Sequence, residues 1–306
     1  MENFIFKNKN GIDISCYRWS NKSENTKGII QIVHGMSEWA GRYEYFANKL
    51  TQEGYTVYAH DHSGHGKSVK NLDKLGFINK ENRFYSMLDD IRMLNEIIKK
   101  ENKELPVILF GHSMGSFLSQ RYIQIYGDTI DGVILSGSNG KPKVFTKAGL
   151  IVSKIEMLIS GNYKRSKFMD KLSFGSFNNS VKNPKTNFDW LSSDEKEVDK
   201  YIKDKYCGFI YPTPFYYDLI RGLWDIHKDE SLEKIKNLNI PIYIFSGDKD
   251  PVGYFGDGVI NLYEQYKELG VKDISYKLYK DGRHEMLNEV NKNEVIEDII
   301  IWIKKL

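Results

Sequence analysis

Short apolar runs alternate with amphipathic stretches along most of this sequence, and this alternation limits the fold more than any other feature. The runs GIIQIVHG (28–35), YTVYAHD (55–61) and LPVILFG (105–111) are rich in β-branched and aromatic residues, as strands buried on both faces are. Between the second and third runs, apolar side chains recur at helical spacing from Phe84 to Lys100. This alternation predicts a mostly parallel sheet with helices on both faces.

Five further strands bring the predicted sheet to eight. The first twenty residues favour two strands joined by a turn at Asn10-Gly11, and they lack the long apolar run of a signal peptide. The other three strands are DGVILSG (131–137), IPIYIFSG (240–247) and ISYKLY (274–279). The remaining helices are predicted from Arg42 to about Glu53, from Met114 to Tyr126, near 257–269, and up to Leu306.

The alternation stops from about Asn139 to Lys234, where the sequence predicts short helices and loops without a buried strand. A helical block inserted into a regular α/β series is most simply a cap over one edge of the sheet. The predicted organisation is a core (1–138), a helical cap (139–234) and the second part of the core (235–306). A chain of 306 residues is long enough for this arrangement.

Composition narrows the possible partners and the compartment. A net charge of +3, with 41% hydrophobic residues, gives no whole-protein argument for nucleic-acid binding. The two cysteines, Cys16 and Cys207, lie far apart and predict neither a disulfide framework nor a metal site. This cysteine usage favours the reducing cytoplasm. Because no stretch approaches the roughly 20 apolar residues of a membrane span, we also expect a soluble protein.

The pentapeptide Gly111-His112-Ser113-Met114-Gly115 stands directly after one predicted strand and directly before a predicted helix. A G-x-S-x-G sequence at that junction is typical of a nucleophile elbow, a strained turn that lifts the serine hydroxyl above the sheet. The residues two before and two after must be small, and the helix N-terminus favours developing negative charge. We therefore predict that Ser113 is a catalytic nucleophile.

Serine is a weak nucleophile and needs a base that a third group orients. In enzymes with this elbow the chain order is serine, acid, histidine. The segment SGDKDPVG (246–253) offers Asp248 and Asp250, and Asp250 is favoured because it lies further past the strand end; Asp248 would satisfy loop amides. His284, the only histidine after Asp250, follows the last predicted strand and is the expected base.

An oxyanion hole needs two backbone N–H groups that point at the developing negative charge. The residue after the nucleophile, Met114, should supply one of them. The other should come from Met36, in the loop that follows the strand ending at His34-Gly35.

Three histidines, His60, His62 and His65, stand close together in AHDHSGHGKS (59–68). A metal site is one interpretation of this cluster. A structural turn is favoured, with Asp61 accepting backbone amides, because no second ligand group stands at suitable spacing elsewhere.

Four segments together resemble those of the monoacylglycerol lipase and lysophospholipase-like α/β hydrolases, the group often filed with the serine aminopeptidases. They are the stretch from His34 to Ser68, GHSMG, SGDKDPVG and YKDGRHEMLNE. The likeness covers the predicted core, and only CGFIYPTPFYYDLIRGL (207–223) matches loosely in the cap. It implies an α/β-hydrolase fold, a cofactor-free esterase acting on small lipid esters, the triad Ser113, Asp250 and His284, and oxyanion donors Met36 and Met114.

Two other functions remain open. Amide or aminopeptide hydrolysis would use the same triad but would require a carboxylate cluster in the cap, for which Asp189, Asp194 and Glu195 are candidates diluted by lysines. A non-catalytic binding protein on the same scaffold would be expected to lack a triad member.

The basic segment 141–171 carries eight basic and two acidic side chains, a net charge of +6. Within it, GLIVSKIEMLISG (149–161) predicts an apolar helix. One interpretation is a cap helix packed on the core with solvated lysines. The other is that Leu150, Ile151 and Leu158 line the entrance of an acyl tunnel while the lysines make transient contact with anionic lipid surfaces.

Overall fold

Eight strands form one sheet in the part of the chain that the computed structural model describes. That part comprises residues 1–20, 26–78, 81–142, 146–236 and 238–306. The strands are β1 (Glu2–Lys7), β2 (Asp13–Trp19), β3 (Gly28–Val33), β4 (Tyr55–His60), β5 (Val107–His112), β6 (Gly132–Ser136), β7 (Ile242–Gly247) and β8 (Ile274–Tyr279). Their order across the sheet is β1-β2-β4-β3-β5-β6-β7-β8. Strands β3 to β8 are parallel, whereas β2 is antiparallel to both of its neighbours.

Helices cover both faces of this sheet, as predicted. In chain order the described helices are α1 (Glu44–Gln52), α2 (Arg83–Glu101), α3 (Met114–Tyr126), α4 (Thr146–Ser160), α5 (Lys167–Phe174), α6 (Glu195–Lys203), α7 (Thr213–Ile226), α8 (Asp229–Leu232), α9 (Asp257–Glu268) and α10 (Lys292–Ile303). Successive strand residues point to opposite faces. Ile29 and Val33 pack with α2, α3 and α9, while Ile30 and Ile32 pack with α1 and α10. Every residue of β3, β4, β5 and β7 is buried, which explains why these strands are rich in apolar residues.

The first helix begins two residues later than its sequence pattern predicts. Residues Ala40–Tyr43 form a 3₁₀ turn, and α1 starts at Glu44. The Ala40 N–H donates to Oδ1 of Asp61 at 2.9 Å, which fixes the approach to the helix. A hydrogen bond from a distant turn therefore sets this boundary.

Helices α4 to α8 lie between β6 and β7 in the chain. Helix α4 packs along α7, and α7 packs in turn on α2 and α3. Arg83 pairs with Asp218 at 2.9 Å across the α2–α7 contact, and Tyr85 donates to Asp225 at 3.0 Å. The division into a core and a cap at 138 and 234 stays a prediction. None of the helices in the described ranges is long and apolar enough to cross a membrane.

Candidate active site

The loops that carry the predicted site residues follow β3, β5, β7 and β8. Because these strands are parallel, their carboxyl ends meet at one edge of the sheet. Strand β5 lies beside β3, and β6 is the only strand between β5 and β7. The topology thus brings together segments that are far apart in the sequence.

Ser113 adopts a conformation that non-glycine residues rarely take, with φ 52° and ψ −121°. It is partly exposed at the junction of β5 and α3. A Cβ atom on Gly111 would lie 2.5 Å from the Gly115 carbonyl oxygen, and one on Gly115 would lie 2.6 Å from that of His34. The flanking glycines are therefore required by close backbone approach, as expected for a nucleophile elbow.

Asp250 and His284 form a buried pair. Oδ1 of Asp250 lies 3.0 Å from Nδ1 of His284, and the two side chains are 0% and 2% exposed. The other carboxylate oxygen accepts the Ser246 hydroxyl at 2.6 Å, and Oδ1 also accepts the Val252 N–H at 2.9 Å. These donors and the charge of His284 outweigh the effect of burial, so the pKa of Asp250 lies below its ordinary value.

The alternative acid, Asp248, serves a different purpose. Its Oδ1 accepts the backbone N–H of Asp281 at 2.8 Å, which ties the loop after β7 to the loop after β8. The Asp248 N–H donates to Tyr279 and the Lys249 N–H to Gly282, both at 2.9 Å. These bonds hold together the two loops that carry Asp250 and His284.

Aromatic rings enclose His284. The indole of Trp190 lies over it with ring centroids 5.1 Å apart, and His112 lies 4.8 Å away on another side. Burial opposes protonation of His284, but the Asp250 carboxylate outweighs burial and raises the pKa of His284 above its ordinary 6.5. Burial lowers the pKa of His112 to about 3, so that ring stays neutral.

The Asp250–His284 and His284–Ser113 pairs do not form the aligned hydrogen bonds of a reacting triad. Nδ1 of His284 has no well-aligned hydrogen-bond partner among the described residues despite its distance from Asp250. In the described part of the chain, the Ser113 hydroxyl also makes no hydrogen bond to His284. Catalytic hydrogen bonds often tighten only in the complex with substrate, so this geometry is compatible with the predicted triad.

The predicted oxyanion donors flank the serine. A Cβ atom on Gly35 would lie 3.2 Å from Cβ of Ser113, which places the loop after β3 directly beside the serine. Met114 begins α3, where the first backbone N–H groups have no partner within the helix. Neither the Met36 nor the Met114 N–H donates to another group in the described ranges. Both are thus available to a ligand.

A buried ion-pair network that the sequence analysis missed lies behind this loop. Arg42 contacts Glu285 through two hydrogen bonds of 2.7 and 2.6 Å and Glu38 through one of 2.6 Å. Burial opposes ionisation of Glu285, but Arg42 outweighs it and lowers the pKa of Glu285 to about 2. Since Glu285 follows His284 and Glu38 follows the oxyanion loop, the network joins the two loops. The positions of Glu38 and Glu285 near Met36 and His284 in the sequence could have marked them as part of the site.

The histidine cluster is a buried, neutral packing unit. His34, which the metal hypothesis did not include, lies with its ring centroid 4.1 Å from that of His62. Burial lowers the pKa of His60 to about 3 and that of His65 to about 4. As expected for a structural turn, Asp61 accepts two backbone amides, from Ala40 at 2.9 Å and Lys67 at 2.7 Å. The described residues include no group of ligands that could hold a metal ion.

The basic segment 141–171 contains both exposed apolar side chains and a cation that is bound to backbone carbonyls. Leu158 and Ile159 on α4 are 88% and 79% exposed, so Leu158 lines no tunnel in this structure. Arg165 is not a freely solvated cation, because its guanidinium donates to the carbonyls of Ile210 and Asp73. Lys143 lies outside the described residues.

Known proteins resemble this chain over almost its whole length. The family model described as "Serine aminopeptidase, S33" matches residues 24–291. A monoacylglycerol lipase from Mycolicibacterium smegmatis is 26% identical over 97% of this chain and 95% of its own length. The human monoglyceride lipase is 25% identical over 97% of this chain and 89% of its own length.

A solved structure gives the same result. A thermostable carboxyl esterase from Bacillus coagulans, crystallised with glycerol, superposes with a TM-score of 0.90 at 29% identity, over 99% of this chain and 98% of that one. The chain therefore belongs to the serine aminopeptidase S33 family and has the α/β-hydrolase fold. The family resemblance and the fold class predicted from the sequence are both confirmed.

Proposed function

We propose that this carboxylic ester hydrolase cleaves small lipid esters through Ser113, His284 and Asp250. His284, oriented by Asp250, accepts the proton of the Ser113 hydroxyl as its oxygen attacks the ester carbonyl. The oxyanion binds the backbone N–H groups of Met36 and Met114. The protonated His284 then gives its proton to the leaving alcohol. Water then attacks the acyl-enzyme while His284 accepts a proton from it. His284 returns this proton to the Ser113 oxygen as the acid leaves.

One observation carries this mechanism: the buried Asp250–His284 pair lies at the same sheet edge as a strained serine between two obligatory glycines. A carboxylate fully enclosed at 3.0 Å from an imidazole favours one orientation of the ring and stabilises its charged form. Asp248 lacks this contact, since its Oδ1 accepts a loop amide.

Lipid esters are favoured over peptides as substrates. Three relatives that each match over 97% of this chain are named monoacylglycerol or monoglyceride lipases. An aminopeptidase would need carboxylates gathered to bind an amino terminus. Asp189 accepts two backbone amides of its own turn, Asp194 caps α6, and Glu195 pairs with Lys185 at 2.6 Å. These three carboxylates are committed to local contacts.

The proposed substrate class is tested with a matched panel of 1-monoacylglycerols, lysophospholipids, p-nitrophenyl esters of graded chain length and aminoacyl p-nitroanilides. Ser113→Ala prepared in parallel supplies the background. We expect kcat/KM for the acyl esters to exceed that for the anilides by about 100-fold or more, because acyl esters have no free amino terminus that carboxylates of the protein must bind. A preference for the anilides would contradict the proposal.

We also propose that α4 makes transient contact with anionic lipid surfaces. Its outward face combines Ile151, Ile155, Leu158 and Ile159, all more than half exposed. Lys154 on this helix and Lys164, four residues beyond its end, are exposed. An apolar face flanked by cations is the pattern of interfacial helices, and exposed apolar patches of this kind mark interaction sites.

A further inference from the structure

Ser37, the residue after the proposed oxyanion donor Met36, is tied to the segment 201–211 through its main chain and its side chain. It adopts the left-handed region with φ 55°, which serine rarely occupies. Ser37 donates two hydrogen bonds, from its N–H to Oη of Tyr211 at 2.7 Å and from its Oγ to the Phe209 carbonyl at 2.9 Å. Its carbonyl oxygen accepts two more, from the Gly208 N–H at 2.9 Å and from Oη of Tyr201 at 3.0 Å.

The Tyr211 hydroxyl has a fixed direction in this network. Nδ1 of His65 faces the Ser63 carbonyl at 3.0 Å and must donate to it, because a carbonyl only accepts. Nε2 of the neutral ring is then an acceptor, and it lies 2.6 Å from Oη of Tyr211. The tyrosine therefore donates to His65 and accepts the Ser37 N–H. Tyr211 is fully buried, and its ring stacks on Phe215 at 3.8 Å.

The other side of the oxyanion loop is held as firmly. The Gly35 N–H donates to Oε1 of Glu38 at 2.6 Å, and the preceding His34 accepts the His62 N–H at 3.0 Å. Met36 thus lies between two residues whose N–H groups are engaged, and its own N–H donates to no group within the described ranges. The loop is built so that this N–H stays free.

We propose that Ser37 and Tyr211 are positioning residues that orient the Met36 N–H toward the oxyanion. The orientation of this N–H then depends on the position of the segment 201–211. This inference rests on the proposed function, which assigns Met36 to the oxyanion hole. Without the Tyr211 hydroxyl, the strained Ser37 peptide loses its acceptor and can rotate. The N–H of the neighbouring Met36 then moves with it. Small displacements of such donors are costly because the hole must match the transition state rather than the substrate.

Tyr211→Phe tests the proposal, because it removes the hydroxyl and keeps the buried ring. We expect kcat for an ester and the rate of inactivation by a fluorophosphonate to fall about 10-fold or more, less than the 10²–10³ of losing a donor outright. KM should change by less than about twofold, since the ground-state ester does not depend on the oxyanion contact. Affinity for an aryl boronic acid, which forms a tetrahedral adduct on the serine, should fall in parallel with kcat.

Tyr216→Phe is the matched control. Tyr216 is also buried and packs edge-on against Tyr211 and Phe215, and its hydroxyl donates to Asp170 at 3.2 Å rather than to the oxyanion loop. We expect it to keep kcat and boronate affinity while losing comparable stability. Ser37→Ala, which deletes only the bond to Phe209, should lower both rates by a smaller factor and serves if Tyr211→Phe does not fold.

Unchanged inactivation rate and boronate affinity in folded Tyr211→Phe, or in Ser37→Ala if that variant replaces it, would overturn the proposed positioning role of Ser37 and Tyr211. So would an equal loss in Tyr216→Phe. The labelling readout does not depend on the ester chosen. A wild-type enzyme that labels but cleaves no lipid ester would instead overturn the proposed substrate class, and the two failures can be told apart.

Discussion

Asp248 and Asp250 stand two residues apart on one loop, yet different groups reach their carboxylates. Asp250 is enclosed and receives a hydroxyl, a backbone amide and the His284 ring. Asp248 is partly exposed and receives an amide of the next loop. At the scale of single residues, burial and donor geometry therefore distinguish the proposed acid from its neighbour.

We expect Asp250→Asn to lower kcat by about 10³-fold or more, because an amide neither stabilises the imidazolium nor enforces the required tautomer. Asp248→Asn is the control on the same loop, and it should stay folded and within about fivefold of the wild-type rate. Steady-state kinetics on a p-nitrophenyl ester, with Tm measured for both variants, decides between them. The reverse ranking would transfer the acid role to Asp248.

The protonation of His284 predicts the pH dependence of the proposed reaction. As the base it must be neutral, so activity is lost when pH falls through its pKa. Because Asp250 raises that pKa, the acidic limb of kcat/KM should lie above the ordinary value of 6.5. His112 stays neutral throughout, since burial lowers its pKa to about 3.

The residual activity of Asp250→Asn extends this test. Removing the carboxylate removes the interaction that raises the His284 pKa, so the limb should move to lower pH. A limb that moves to higher pH, or does not move, would show that Asp250 does not interact with the catalytic base.

At the scale of elements, the elbow joins β5 to α3 through contacts that tolerate no additional atom. A Cβ on Gly115 would collide with the carbonyl oxygens of Val33 and His34 at the end of β3. Strand β3 is hydrogen-bonded on both sides, to β4 and β5, and cannot move aside. The packing of α3 against the sheet thus determines how far Ser113 lies above the ends of the strands.

We expect Gly115→Ala to lower Tm by about 5 °C or more, since overpacking costs about 1–3 kcal/mol even where neighbours can adjust. Ester hydrolysis should fall as Ser113 is displaced. Gly149→Ala on α4 is the control, because its new Cβ meets mainly the end of the flexible Ile220 side chain at 2.9 Å. That variant should be neutral or slightly more stable, and equal losses in both would contradict the account of the elbow.

Helix α4 belongs to the same scale, and vesicle sedimentation tests its proposed lipid contact. Leu158→Gln/Ile159→Gln should weaken binding to vesicles containing anionic lipid, whereas Val290→Gln/Ile301→Gln, exposed apolar positions outside the cap segment, should not. Binding should also weaken as the Debye length falls from about 10 Å at 0.1 M salt to about 3 Å at 1 M.

The charge component is tested with Lys164→Gln/Lys167→Gln. Arg165 is left unchanged because its guanidinium holds the Ile210 and Asp73 carbonyls. Equal binding of all variants, or equal binding to neutral and anionic vesicles, would reduce α4 to an ordinary surface helix.

At the scale of the whole molecule, the parallel sheet could be predicted from the sequence because burial on both faces leaves a distinct pattern. For example, every residue of β4 (Tyr55–His60) is buried, and this strand begins at the first residue of its predicted run and ends one residue before the last. The meeting of Asp250 with His284 also follows from chain order, since both come after neighbouring parallel strands. Local pattern and topology were sufficient for these features.

The remainder depends on contacts that no local pattern encodes. Trp190 and Tyr211 come from a segment of short helices and turns without periodic apolar spacing, and they reach His284 and Ser37 only through tertiary packing. The burial of Glu38 depends on Arg42, four residues further along the chain, which in turn pairs with Glu285 from a distant loop. Likewise, the exposure of Leu158 could not be distinguished from a tunnel lining by its apolar character alone.

The most direct test of the account is covalent labelling of Ser113 with a fluorophosphonate, followed by intact mass and peptide mapping. We expect one adduct on Ser113 in the wild type, no adduct in Ser113→Ala, and a loss of ester hydrolysis in that variant of about 10³-fold or more. Ser116→Ala, which alters a neighbouring hydroxyl bonded to the Ser113 carbonyl at 2.7 Å, should still be labelled. An adduct on another residue, or undiminished labelling and hydrolysis in Ser113→Ala, would contradict the account.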